Sequence, residues 1–417
     1  MIHTHTLIVG AGVTGLACAD RLGDADYLIV EAEPEIGGYC RTVKRDGFTW
    51  DYSGHFFHFR DPEIEADLVS RMTGRVLRVE RASRIWYANS LIDFPFQRHL
   101  HQLPPDEYEQ CVRDLEARDE SRSIGNFKDM LYARYGRGIA EKFLIPYNEK
   151  LYATNVATLD VDAMGRFFPH ATTAEMLSRE PTKGSGYNTT FTYPEGGAVQ
   201  YVEALSENVS PDRVFCRERV VGIDLGAKVA TTNRRSISYD RLVSTMPLVS
   251  LLEICALPHD PSVFDWNRVL VFNLGFDRKG LSGVHWVYYP QRSLSFYRVG
   301  YYDNILGDDR MSLYVEIGLG RETESEPGLA ERWLPRVLSD LQACGVLKDQ
   351  ALIASHHALL DPAYVHITTQ STEQAALFKS MLAEESVYSI GRYGSWRYCS
   401  IEDNIVEARA LVAERLA

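Results

Sequence analysis

The sequence predicts an α/β protein in which a Rossmann-like parallel sheet is interrupted by a second unit of helices and mixed antiparallel strands. Three observations predict it. Residues 6–9 (Thr-Leu-Ile-Val) form a short apolar run that enters a glycine-rich turn, a helical stretch at 16–22 and a second apolar run at 27–30. This is a βαβ opening. A charged segment at 105–145 has helical spacing. From residue 213 onward, short β-rich runs alternate with turns.

Taken in order, the elements follow from local residues. Residues 106–120 and 125–135 read as two exposed amphipathic helices. Residues 182–197 are rich in Gly, Ser, Asn and Pro and read as a loop or crossover. Strands follow at 214–216, 220–223, 229–231 and 242–245, then at 268–276, 284–289, 295–302 and 312–319. The alternation at 313–317 (Leu-Tyr-Val-Glu-Ile) predicts a sheet with one polar face. A helix is expected at 326–344. The chain closes with a strand at 387–390, a glycine-rich turn and a helix at about 402–416.

Composition narrows the class. A chain of 417 residues suggests two or three domains, at ~150 residues each. Hydrophobic residues at 45% and charged residues at 24% fit an ordinary globular protein. The net charge of −13 argues against a coat for nucleic acid or anionic membrane, which needs a basic face. The seven cysteines are scattered, with no C-x-x-C, so neither a disulfide framework nor a zinc site is expected. No apolar run reaches ~18 residues, and the first residues lack the basic flank and cleavage site of a signal peptide. The expectation is a cytoplasmic protein.

The chemistry begins at Gly10, Gly12 and Gly15, a G-x-G-x-x-G between strand and helix. Gly10 permits the tight turn, Gly12 lets backbone approach a pyrophosphate, and Gly15 lets helix and strand pack closely. The phosphates would sit on the helix N-terminus, with Val13 and Thr14 in its first turn. Glu31 closes the second strand, where a carboxylate can hold an adenosine ribose, and Ala32 follows it. Residues 35–42 (Glu-Ile-Gly-Gly-Tyr-Cys-Arg-Thr) come directly after.

The order G-x-G-x-x-G, Glu, G-G-x-x-x-T resembles the flavin amine-oxidase superfamily and implies FAD rather than NAD. In that resemblance Gly38, Tyr39, Arg41 and Thr42 form the second phosphate and ribityl loop, and Val221 lies in the strand pair that clamps the adenine. Residues 241–248 resemble the strand and turn that return to the FAD domain.

Three further segments resemble the UDP-galactopyranose mutases. Residues 51–58 (Asp-Tyr-Ser-Gly-His-Phe-Phe-His) resemble their histidine loop, with Gly54 and His55 at the flavin. A metal reading of His55 and His58 lacks an accompanying carboxylate or cysteine cluster. Residues 85–96 resemble their hairpin and Pro-Phe step. Residues 391–402 (Gly-Arg-Tyr-Gly-Ser-Trp-Arg-Tyr-Cys-Ser-Ile-Glu) resemble their C-terminal motif. There Arg392, Ser400 and Ile401 would meet the flavin, and Tyr398 the substrate diphosphate. Ser400 stands where the mutases commonly carry an aspartate.

The resemblance also assigns a substrate site. Arg166 and Arg298 match the two diphosphate arginines, Tyr187 a further substrate tyrosine, and Tyr152 replaces a mobile-loop tryptophan. Glu316 matches an acid near a strand end, while Ile317 stands where a substrate tyrosine is common.

The fold implied is a FAD-binding domain of the GR2 type, built from residues 1–75, 185–248 and 381–417. A hairpin-and-helix subdomain (76–184) and a β-sheet subdomain (249–380) are inserted.

The activity implied is interconversion of pyranose and furanose forms of a nucleotide-diphosphate hexose, through an adduct between flavin N5 and the sugar. His55, Arg166 and Arg298 would be the catalytic residues. NAD(P)H would reduce the flavin transiently, and a homodimer is compatible with the family. Two other readings stand beside it. One is a FAD-dependent oxidoreductase of the amine oxidase or protoporphyrinogen oxidase type, which the 244–248 turn favours. The other is a non-catalytic FAD-fold binding protein.

Overall fold

Strand Ile2–Val9 is the spine of the first sheet, and its apolar end is buried on both faces, as a parallel central strand requires. The computed structural model describes residues 1–119, 121, 123–179, 189–323 and 328–416. Ile2–Val9 runs parallel to Tyr27–Val30 on one side and to Ser236–Ser244 on the other. Val214–Phe215 extends the sheet beyond Tyr27–Val30. The long strand Ser236–Ser244 has two partners on its far edge. Its first half pairs antiparallel with Val229–Thr232, and its last residues pair parallel with Val387–Ser389. Helices Val13–Leu22, Val199–Ser206 and Ile401–Leu411 pack on this sheet, sharing a core that includes Ile8, Leu16, Tyr201 and Ile405.

Among the described residues, the second sheet has seven strands. Its order is Leu352–Val365, Trp266–Phe276, Ser312–Gly320, Arg298–Tyr301, Trp286–Tyr288, Ser83–Tyr87 and Ser90–Asp93. All neighbours are antiparallel except Trp286–Tyr288 with Ser83–Tyr87. The terminal hairpin turns on Ala88 and Asn89, both at positive φ, as a tight hairpin turn requires.

The structure corrects several expectations. The segment at 125–135 is not an exposed helix. Phe127–Ile139 buries Phe127, Met130, Leu131 and Tyr135 in the largest core and continues into Ile145–Tyr152. The polar face expected from the alternation at 313–317 is buried. Leu313, Val315 and Ile317 pack in the core shared with helix Leu329–Ala343, while Tyr314 and Glu316 are buried on the opposite face. Thr190–Pro194, within the stretch read as a loop, is a strand paired with Val76–Glu80. Helix Thr369–Glu384, which spans the boundary expected at 380, buries Ala375, Phe378 and Leu382 against the first sheet.

Candidate functional site

A cleft of about 990 Å³ lies between the two sheets and gathers most of the residues singled out in the sequence. Its floor is the first βα turn. Gly10 has φ +101°, and a Cβ there would lie 2.3 Å from Thr245 Oγ1. At Gly15 a Cβ would lie 2.0 Å from the carbonyl oxygen of Gly10, so the third glycine serves packing and does not line the cleft. Gly12 bridges to Gly37, and a Cβ on Gly38 would come within 3.3 Å of Gly12 Cα. The two glycine loops therefore meet backbone to backbone, leaving a cradle that side chains would fill. Val13, Thr14, Ala32, Gly38 and Tyr39 line the same wall.

Glu31 is buried, and its carboxylate accepts from Ala11 N at 2.7 Å and Glu33 N at 2.8 Å. Each oxygen keeps a lone pair for a sugar hydroxyl. Arg41 lines the cleft and donates to the carbonyl of Glu35 at 2.6 Å, while its Nε is buried without a partner. Two expected contacts stand elsewhere. The Thr42 hydroxyl donates to Asp51 at 2.6 Å and accepts from Val199 N, so it braces the fold instead of facing the cleft. Val221 is 52% exposed, whereas Val220, at 5%, lines the cleft. The strand's parity decides between them.

Asp51 holds this region together. It accepts from Thr42, Tyr193 and Ala198 N, yet burial pushes its carboxyl up to about 6.

The middle of the cleft is the 51–58 loop. A Cβ on Gly54 would lie 2.6 Å from the hydroxyl of Tyr314, so only glycine lets this loop seat against the second sheet. His55 follows, with Nδ1 buried and unpartnered. Burial lowers it to about 4, with Glu316 opposing and Arg298 and Arg392 adding to the effect, so the imidazole is neutral at pH 7. His58 also lines the cleft, its Nδ1 2.9 Å from the carbonyl of Thr190.

The C-terminal motif closes the opposite wall. Ser400 caps helix Ile401–Leu411 in a reciprocal box with Asp403, and Ser400, Ile401 and Asn404 line the cleft. Arg392 donates to the carbonyl of Cys399 and lies over the rings of Tyr364 and Tyr398, at 5.1 and 5.0 Å.

Arg298 stands at the far end. Its guanidinium makes a fork to Glu316, with Nε 2.5 Å and Nη2 2.7 Å from the carboxylate oxygens. Ser53 donates to the same carboxylate. Burial works against both charges, but their pairing wins. Arg298 is held well above its ordinary value and Glu316 below the carboxylate range. Arg298 lines the cleft and Glu316 does not, so the wall presents the cation.

The other expected substrate residues divide. Tyr398 lines the cleft, stacked on Tyr364 at 5.8 Å. Tyr152 is fully buried behind Tyr364 and is not part of the wall. Arg166 sits outside the wall, its Nη2 held by both oxygens of Asp403 at 2.5 and 2.6 Å. Tyr187 lies outside the described residues.

Sequence reading missed Tyr364 and Tyr297, both in the wall, and Asp403. The pattern Ala-Tyr at 363–364 carries no motif signal. Only the strand pairing that sets Tyr364 opposite Asn267 brings it to the site.

The cradle, the buried Glu31 carboxylate, the unpartnered His55 and Arg41 nitrogens and the helix N-terminus fit a flavin dinucleotide. Among the described residues, no group of three His, Cys, Asp or Glu could hold a metal ion, and no helix is long and apolar enough to cross a membrane.

Comparison with known proteins agrees with this geometry. The family described as flavin containing amine oxidoreductase matches residues 13–280. A crystal structure of reduced UDP-galactopyranose mutase superposes with a TM-score of 0.89 at 24% identity, covering 100% of this chain and 95% of the other. A candidate protoporphyrinogen oxidase from Exiguobacterium gives 0.77 at 17% identity, covering 99% and 98%. At such identities the likeness establishes the fold. Among curated proteins, phytoene desaturase from Fusarium fujikuroi is 24% identical over 65% of this chain, which spans 50% of that protein's length. The chloroplastic protoporphyrinogen oxidase of Nicotiana tabacum is 38% identical over 61 residues, 14% of this chain and 11% of its own.

Proposed function

Because the chain belongs to the flavin-containing amine oxidoreductase family, we propose that it is a FAD-dependent mutase that interconverts pyranose and furanose forms of a nucleotide-diphosphate hexose. The observation that carries this is Arg298. It puts a guanidinium in the wall beyond the nucleotide cradle, beside the phenols of Tyr297, Tyr364 and Tyr398, with Glu316 behind it. The guanidinium N–H groups that Glu316 leaves free suit a diphosphate leaving group.

A bound FAD, once reduced by NAD(P)H, would supply a nucleophilic nitrogen for the anomeric carbon of the sugar. This chain's residues do the rest. Arg298 binds the diphosphate and holds it for return. Tyr398 donates to the same phosphates. His55, neutral at pH 7, adds no charge beside the flavin ring. Arg166, held by Asp403 beside the cleft, and Tyr187, outside the described residues, are the other two residues this reading assigns to the diphosphate. Tyr152 supports the subsite from behind Tyr364.

The rival reading, a FAD-dependent oxidoreductase, is favoured by Thr245, Met246 and Pro247, the oxidase-like turn, which lines the cleft. One experiment separates the two. The dithionite-reduced holoenzyme is incubated with UDP-galactopyranose and a panel of other nucleotide sugars, and products are resolved by chromatography. The expected result is an isomer of unchanged mass, lost in Arg298→Lys at normal flavin content. No isomer across the panel, together with substrate-driven bleaching of the oxidised flavin by amines or porphyrinogens, overturns the mutase.

A further inference from the structure

Lys150 is on the helix Ile145–Tyr152, yet its ammonium belongs to a different element. Nζ donates to the carbonyls of Tyr289 at 2.9 Å, Gln291 at 2.8 Å and Phe296. These three oxygens come from one turn, residues 289–297, which feeds directly into Tyr297 and Arg298. An ammonium has three protons, so the turn's acceptors match its full donor capacity.

The helix is fixed from a second side. A Cβ on Gly318 would lie 2.0 Å from the Lys150 carbonyl oxygen, so the helix end sits against the strand two residues from Glu316. The neighbouring residue Glu149 pairs with Arg292 in the same turn. The helix also carries Tyr147, whose ring meets Tyr288 at 5.2 Å and Tyr297 at 6.2 Å.

We propose that Lys150 is a positioning residue for the substrate end of the cleft: it clamps the 289–297 turn to the helix Ile145–Tyr152 and thereby fixes where Tyr297 and Arg298 stand. None of its contacts reaches the nucleotide cradle. The clamp acts on the turn, and the turn sets the start of the strand Arg298–Tyr301. The ligand in this inference is the one named in the nucleotide-sugar reading and rests on it.

The test compares the holoenzyme with Lys150→Met in three measurements: flavin content, calorimetric titration with UDP, and hydrogen–deuterium exchange of peptides covering 286–301. Flavin content is expected to stay normal. UDP affinity is expected to fall about tenfold, since a small displacement of an anchoring group is enough. Exchange in 286–301 should rise about tenfold while the first sheet is unchanged. An unchanged affinity or an unchanged local exchange overturns the proposal. So does loss of flavin or faster exchange throughout the chain, which marks a general structural role. If the parent holoenzyme binds neither UDP nor any other nucleoside diphosphate, the nucleotide-sugar reading falls instead, and exchange at 286–301 alone decides for or against the clamp.

Discussion

The cleft has a nucleotide end and a substrate end, and they are built on different principles. The nucleotide end is backbone. Gly10, Gly12, Gly15 and Gly38 shape it by having no side chain, and one carboxylate, Glu31, braces it. The substrate end is side chains: a buried ion pair, Arg298 with Glu316, set among Tyr297, Tyr314, Tyr364 and Tyr398. The first end has no room for an added atom at Gly10 or Gly15. The second depends on keeping both charges of its ion pair.

The largest effect should come from the backbone end. Gly15→Ala puts a methyl 2.0 Å from a carbonyl oxygen that cannot move away. It is expected to abolish flavin binding, read as a colourless purified protein. Normal flavin retention would mean that the turn is softer than its contacts imply.

Next is the ion pair. Arg298→Ala leaves Glu316, 1% exposed, without its counter-charge and with Ser53 still donating to it, at a cost of about 3–5 kcal/mol in denaturant unfolding. The double variant Arg298→Met with Glu316→Leu should recover most of that stability without recovering turnover. That outcome would separate the pair's place in the fold from its place in the reaction.

The third prediction concerns Asp51, at the join of the two regions, where Asn273 and Tyr302 of the second unit contact its backbone. Its folded pKa, about 6, lies above the unfolded carboxyl value. The protonated form therefore favours the folded state. This contribution is fully present below pH ~4 and lost as pH rises through ~6, in total about 3 kcal/mol. Asp51→Asn should flatten that part of the stability–pH curve.

The smallest effect tests strand parity at the nucleotide end. Val221→Ser should change stability by less than about 0.5 kcal/mol and leave flavin affinity alone. Val220→Ser, one residue earlier and facing the cleft, should weaken flavin binding in a dialysis titration.

The same division explains what could be read in advance. A cradle made by missing side chains leaves a spaced glycine pattern, so Gly10 to Glu31 were legible as a site. The run at 391–402 was legible as a segment, but the reciprocal box of Ser400 with Asp403 was not. Thr42 and Val221 sat in recognised segments, but their direction was not legible. Parity and a bond to Asp51 turned them away.

The substrate end depends on strand register between segments up to about a hundred residues apart. Arg298 pairs with Glu316 only because their strands are antiparallel neighbours in register, and Tyr364 arrives on a strand that no motif announced. The buried Glu316 shows the limit most plainly. Alternation predicted a face different from its neighbours, correctly, but not that this face would be dry. In the sequence, polar residues inside a cleft look the same as polar residues in water.

The first sheet is completed by its last strand. Val387–Ser389 pairs with Ser236–Ser244, and helix Ile401–Leu411 then brings its N-terminus to the cleft. During synthesis, the glycine cradle leaves the ribosome hundreds of residues before the wall that faces it. A nascent chain thus carries a half-built cofactor site for most of its translation, with the apolar faces of Ile8 and Val243 waiting for Ile390 and Ile405. The complete cofactor wall exists only once residues 387–411 have been made.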